Sequence, residues 1–300
     1  MDSRVPVSPE DVLLLVTAKT VVLHPHGRWG AALLHQVKNQ IEYSAWLHWV
    51  DLENPGASPA TPVPAASGFQ WSPRGDRYAL VRALHDGWQI EVGRWDGPDS
   101  VGNPEGLISV AAQPQWLSWD ATGKTLCFAA RVASEEWGRG LVLRRSGYRL
   151  IQGTVPYWTE ATGYQDGRFY QVFLATRGSS SSIGWKVAQL TSEPYDHLTP
   201  VIHPLADRVA YSRPSSGLDR HYGNQCVAVR ETSASEEQIV AEPGGPCRSL
   251  AWSPSGNAIA WLSHDGRMGA DEATDLRLRS PQAAASGKSI RVSTGAWKTS

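Results

Sequence analysis

Nine histidines make this chain worth searching for acid-base or metal chemistry. His24 and His26 stand two apart around Pro25, a spacing that could hold a metal from a strand or a turn. No third ligand lies nearby in the sequence, so a surface turn is the expectation and no metal is assigned. His197 and His203 flank a short apolar run, which leaves His197 able to face an open mouth. Asp219-Arg220-His221 and His264-Asp265-Gly266-Arg267 mix both charges. Acid-base catalysis there would need a histidine and a carboxylate held in hydrogen-bonding geometry around a substrate, which proximity in sequence does not supply. Cys247 stands beside Arg248, whose charge would favour a thiolate, although a buried inert thiol is the expected state.

Arg82, Arg131 and Arg213 close equivalent strands of a repeating phrase. Recurrence at a fixed position predicts a shared structural job, pairing a carboxylate of the neighbouring repeat. If they ring a mouth instead, they would suit a peptide carboxylate or a docking domain. Trp88 and Trp137 fall in stretches read as long loops, where an aromatic side chain can anchor a peptide or a partner. The candidate binding residues are therefore Trp88, Arg131, Trp137, His197, Arg213, Arg220, His221, Arg248 and His264. No residue is assigned to catalysis, and no cofactor is expected.

The elements that must carry these residues come from the repeat itself. Phe69-Gln-Trp-Ser-Pro-Arg-Gly-Asp-Arg-Tyr-Ala-Leu-Val-Arg82 returns as Leu250-Ala-Trp-Ser-Pro-Ser-Gly-Asn-Ala-Ile-Ala-Trp-Leu-Ser263. A weaker copy begins at Leu117, and two more, around His24-Pro25 and His203-Pro204, keep only the proline. Pro25, Pro73, Ala121, Pro204 and Pro254 are separated by 48, 48, 83 and 50 residues. A period of this size signals stacked strand-turn-strand units, and the long gap reads as two units with a worn middle motif. The prediction is an all-β fold: a β-propeller of six to seven four-stranded blades, the last one incomplete or closed by a tail strand. Residues 1–19 form a lead-in, 20–280 the propeller and 281–300 a linker-like tail with one weak strand, Ser289 to Ser293.

Ser8-Pro9-Glu10-Asp11 reads as the start of a short helix, with serine as cap and acids in the first turn. Strands are predicted over 31–34, 44–52, 79–83, 89–95, 126–130, 169–175, 209–212, 226–230 and 258–262. In each repeat the proline presets φ at the turn and the glycine takes the positive φ. Stretches 84–88, 132–140, 214–223 and 264–274 then read as long loops on one shared face, where recognition is expected.

With 41% hydrophobic residues the chain can bury a large core. Its formal net charge of -1 gives no electrostatic reason to expect nucleic acid or an anionic membrane as partner. Three scattered cysteines make no disulfide framework. The apolar run Val12 to Val16 follows Glu10 and Asp11 and lacks a cleavage site, so a soluble, cytoplasmic chain is expected.

A resemblance then emerges. Ser8-Pro9-Glu10-Asp11 leading into His24-Pro25-His26-Gly27-Arg28 is similar to the opening of the propeller in acylaminoacyl peptidases of the prolyl oligopeptidase family. Tyr148-Arg149-Leu150, Gly163-Tyr164-Gln165-Asp166-Gly167-Arg168 and Leu190-Thr191-Ser192-Glu193-Pro194-Tyr195-Asp196 resemble its middle blades. Those enzymes carry an α/β-hydrolase domain with a Gly-x-Ser-x-Gly nucleophile elbow. No serine here stands in that pattern; Gly178-Ser-Ser-Ser-Ser fails at its fifth position. The resemblance implies a gating or interaction module without catalysis, docking to a hydrolase domain or chain, or to a peptide. The alternative is a free-standing enzyme on a small molecule, with its pocket at the channel mouth built from His197, Arg248, Trp88, Trp137 and the loop around Arg220. A TolB-type binding propeller is a third possibility, disfavoured by the missing signal peptide.

Overall fold

The computed structural model describes residues 8–38, 43–55, 61–133, 158–159, 163–164, 168–178, 184–215, 224–266, 273–282 and 290–292. Trp137, Arg220 and His221 lie outside them, as do most of the stretches 132–140, 214–223 and 264–274. Among the described residues the fold is all-β, with five four-stranded antiparallel sheets in a β-propeller arrangement. The first two blades form one compact unit and the last three another.

Blade one runs β1 (Val16–Leu23), β2 (Trp29–Val37), β3 (Tyr43–Asp51) and β4 (Val63–Pro64). Blade two runs β5 (Ala66–Trp71), β6 (Arg77–Leu84), β7 (Gly87–Arg94) and β8 (Gly106–Val110). Blade three opens with β9 (Gln115–Trp119) and β10 (Thr125–Ala133). A two-stranded ribbon follows, β11 (Trp158–Thr159) and β12 (Gly163–Tyr164), and then β13 (Arg168–Arg177) and β14 (Trp185–Gln189) complete the blade. Blade four comprises β15 (Leu198–Ile202), β16 (Arg208–Pro214), β17 (Gln225–Glu231) and β18 (Glu237–Ala241). Blade five comprises β19 (Arg248–Trp252), β20 (Ile259–Ser263), β21 (Asp275–Arg279) and β22 (Ile290–Val292).

Blade three corrects the expected count. Its β10 pairs directly with β13 without a break, from Thr125 opposite Thr176 to Ala133 opposite Arg168. The 83-residue gap therefore holds one four-stranded blade among the described residues, with an insertion between its second and third strands, and the described residues form five blades rather than six to seven. The expected short N-terminal helix is corrected as well. Pro9–Leu14 is a single 3-10 segment, started by the Ser8 N–H donating to Asp11 Oδ2 at 2.7 Å. Leu84 to Trp88 is not a loop: Leu84 pairs with Gly87 around the two-residue turn His85-Asp86.

All five repeats share one turn. Gly27, Gly75, Gly123, Ala206 and Gly256 take positive φ, and each N–H donates to the carbonyl three residues back, at His24, Ser72, Asp120, His203 and Ser253. Ala206 holds without a glycine the left-handed conformation that glycine adopts at little cost. A second shared feature is a one-residue irregularity in every first strand. Ala18 to Thr20 faces Leu34 to Leu33, and the same slip occurs in β5, β9, β15 and β19. In blades three to five it coincides with Trp116, Thr199 and Ser249 at φ near +50°, a strain of about 1–3 kcal/mol each that surrounding structure must hold.

Second strands are buried on both faces, as in Tyr78 to Val81, Leu126 to Ala130 and Val209 to Ser212. Continuous apolar runs are what a strand sandwiched between neighbouring sheets requires. In the first unit Trp49, Phe69, Trp71 and Trp95 pack edge to face or tilted between blades one and two. In the second unit Trp252 fills the corresponding seam and donates its Nε1–H to the Val201 carbonyl of blade four at 3.1 Å.

Candidate functional site

The turn histidines act between blades. His24 is buried, and its Nε2–H donates to the carbonyl of Gly75, the turn glycine of blade two, at 2.9 Å. His203, also buried, does the same toward Gly256 of blade five at 3.2 Å. A surface turn was the expectation at His24; the ring instead clasps the next repeat. His26 adds a contact to the Arg74 carbonyl at 3.1 Å. With their Nε2 atoms committed to backbone carbonyls, these histidines do not form a metal pair.

Arg82 and Arg213 do pair carboxylates, but within their own blades. Arg82 forks onto Glu91 of β7, Nε to Oε1 at 2.7 Å and Nη2 to Oε2 at 3.1 Å. Arg213 reaches Glu237 at the start of β18, Nε to Oε1 at 2.7 Å. Arg131 donates to the Arg168 carbonyl across the blade-three ladder at 3.3 Å.

The richest polar cluster of the second unit forms where the connector 190–197 enters blade four. The connector is stitched to β13: Thr191 Oγ1 accepts the Val172 N–H at 2.9 Å and donates to Gln171 Oε1 at 2.7 Å. Asp196 Oδ1 accepts the Tyr170 N–H at 2.8 Å, and the His197 N–H donates to the Tyr170 carbonyl at 2.8 Å. Gln171 Nε2 donates to the Glu193 carbonyl at 2.7 Å. So the Leu-Thr-x-x-x-Tyr-Asp element is an inter-blade strap.

That strap delivers His197 into the protein, where it is fully buried. Its ring lies 5.0 Å from Tyr195 and 5.1 Å, edge to face, from Tyr211. Nε2 stands 3.4 Å from Glu193 Oε2, and neither ring nitrogen makes a hydrogen bond. Burial is the main reason the imidazole pKa falls to about 4, so it is neutral at pH 7. Glu237 accepts the Tyr211 hydroxyl at 2.7 Å as well as Arg213. Burial works against its charge, but these donors outweigh it and hold the carboxyl below its usual range. Burial raises the Tyr195 phenol to about 12 and the Cys226 thiol to about 12.

Of the sequence candidates, the structure brings together His197 and Arg213. Arg248 is exposed at the start of β19, and Cys247 is buried with its thiol raised to about 12 by burial. His264 is buried just past β20, its Nδ1 accepting the Gly266 N–H at 3.1 Å. Trp88, half-buried on β7 opposite Ala83, belongs to the first unit. Sequence reasoning missed Tyr195, Tyr211, Glu193 and Glu237. Tyr195 and Glu193 sit inside the singled-out strap; Glu237 comes from a distant strand and has no local signal. Chemically the cluster is a matched Arg213-Glu237 pair capped by the Tyr211 hydroxyl, beside a neutral histidine whose ring nitrogens make no hydrogen bond.

The fold and this strap define a propeller built of consecutive four-stranded sheets. No family model matches the chain, and no curated protein matches its sequence. Solved structures do match the fold. The acylaminoacyl peptidase of Pyrococcus horikoshii superposes with a TM-score of 0.61 at 13% identity, covering 90% of this chain and 39% of that one. The β-propeller domain of the Trilobed protease from Pyrococcus furiosus, described as having an open velcro topology, gives 0.51 at 12% identity over 89% and 68%. A protein from Agrobacterium tumefaciens described as TolB gives 0.51 at 14% over 92% and 80%. The chain thus spans about 40% of the length of the acylaminoacyl peptidases it matches.

Proposed function

We propose that this propeller is a non-catalytic gating and interaction module that docks to an α/β-hydrolase, on the same or a separate polypeptide, and restricts which peptides reach it. The supporting observation is the extent of the match: nearly all of this chain aligns with the minor share of a peptidase, and no nucleophile elbow stands in its sequence. The polar cluster around His197 favours this reading over a small-molecule enzyme, because Arg213, Tyr211 and Glu237 satisfy one another and the histidine is sealed from solvent. A cytoplasmic location belongs to the same proposal. No helix among the described residues is long and apolar enough to cross a membrane.

The test pairs two measurements on the purified chain. Alone, it should neither hydrolyse an acetyl-dipeptide anilide nor label with a fluorophosphonate serine probe. Mixed with α/β-hydrolases encoded beside it, it should bind one of them and shift that enzyme's preference toward shorter peptides. Turnover by the chain alone, or failure of every such hydrolase to bind, would overturn the proposal.

A further inference from the structure

The strap between blades three and four depends on a buried ring that the proposed docking role does not use. His197 is fully buried, held by its backbone N–H on Tyr170 and by two tyrosine rings, with no hydrogen bond to either ring nitrogen. We infer that His197 is an acid-sensitive lock: gaining a proton drives it out of its seat and frees the connector 190–197 from β13, loosening blade three from blade four.

The surroundings set the sign. From the connector, Glu193 offers Oε2 at 3.4 Å from Nε2, but that carboxylate is partly exposed and already faces Arg230 Nη1 at 3.6 Å through its other oxygen. Tyr195 and Asp196 complete that element, Asp196 being bound to the Tyr170 N–H. From β13 comes Tyr170, whose carbonyl takes the His197 N–H. From β16 come Tyr211 and the cation Arg213. From β18 comes Glu237, engaged by Arg213 and Tyr211. A new positive charge is therefore buried among groups whose partners are taken, with one shared, half-solvated carboxylate in reach. A buried charge without a dedicated partner is costly enough that the chain opens locally instead.

Linkage gives the window. The folded ring binds its proton near pH 4 and the released ring near 6.5, so opening takes up a proton and becomes easier as pH falls between those values. At pH 5 the opened form should be about 30-fold more populated, relative to pH 8, than a proton-independent opening would be. Glu237, held below its ordinary value of 4.5, contributes only as pH falls through and below that value, outside the interval from pH 8 to pH 5.

Hydrogen exchange on the full chain tests this. Protection factors at Tyr170, Val172, Leu190 and His197, corrected for intrinsic exchange, should drop about 30-fold from pH 8 to pH 5. The drop should vanish in His197→Gln and in His197→Phe, and persist in the control His35→Gln. Equal protection at the two pH values, or the same drop in the His197 variants, would overturn the inference. If neither His197 variant folds, the ring's own titration in the wild-type protein decides. A midpoint near 4, with exchange of the strap amides accelerating between pH 6.5 and 4, supports the lock, and a midpoint near 6.5 refutes it.

Discussion

Replacing Gly256 by alanine tests the claim that turn histidines clasp successive blades. A Cβ at this position would lie 2.0 Å from His203 Nε2 and 2.7 Å from Cε1, on a backbone with φ of +73°. The left-handed backbone alone costs an alanine about 1 kcal/mol. The imidazole cannot swing aside freely, because it is buried edge to face against Trp252 at a centroid distance of 4.7 Å. Displacing it forfeits the hydrogen bond to the Gly256 carbonyl, worth about 1 kcal/mol. Loss of the ring pair forfeits roughly another 1 kcal/mol. Gly256→Ala should thus destabilise by about 3 kcal/mol in urea unfolding followed by tryptophan fluorescence. Adding His203→Ser supplies the residue that Ser72 and Ser253 place at the equivalent turns, and removes the clash. The double variant should then be less destabilised than the two single losses summed, by about 1–2 kcal/mol. A Gly256→Ala cost of only about 1 kcal/mol, or strict additivity in the double variant, would refute the inter-blade clasp, since only the backbone term would remain.

Three further outcomes follow from the same geometry. Glu237→Gln strips the carboxylate from Arg213 and Tyr211 and should lower stability by roughly 2–3 kcal/mol in chemical denaturation, with Arg213→Met in the same background recovering part of the loss. Thr191→Val leaves the Val172 N–H and Gln171 Oε1 without their hydroxyl partner, and should cost about 2 kcal/mol while raising amide exchange selectively along β13 and the strap. Replacing residues 134–167 with an Asn-Gly turn joins Ala133 to Arg168, the last ladder pair of β10 and β13. A cooperative melt and an unchanged far-ultraviolet β signal are expected, and loss of folding would argue against one blade carrying an insertion.

Much of the architecture was legible because the turn is a local code. Proline stands at four of the five turns and a left-handed glycine at four, Ala121 and Ala206 being the exceptions, and each turn marks one blade. The extra blades came from the 83-residue gap, where length alone cannot separate a worn repeat from an insertion. The missing sixth turn was the usable clue. Asp86-Gly87 likewise signalled a tight turn where a loop was expected, the two turn residues being His85 and Asp86 with Gly87 already on β7. Residue type identified Arg82 and Arg213 as carboxylate partners, yet partner position depends on strand order, so Glu91 and Glu237 turned up in the same blade. A histidine replacing serine at a turn looks exposed in sequence. Only stacking brings the neighbouring glycine carbonyl to the tip of His24 or His203. His197 was expected near a mouth because its connector was read as a simple entry; the hydrogen bonds of Thr191 and Asp196 to β13 fold that connector inward.

Among the described residues, every four-stranded sheet draws its strands from one consecutive stretch of chain. Each stretch is therefore a cassette that brings its own turn, opened by a histidine, serine or aspartate, and its own complete ladder. Gene duplication or loss of one such cassette changes the number of sheets without leaving an orphaned strand. That modularity gives evolution a way to resize the scaffold in steps of one blade while the contacts inside every remaining blade stay intact.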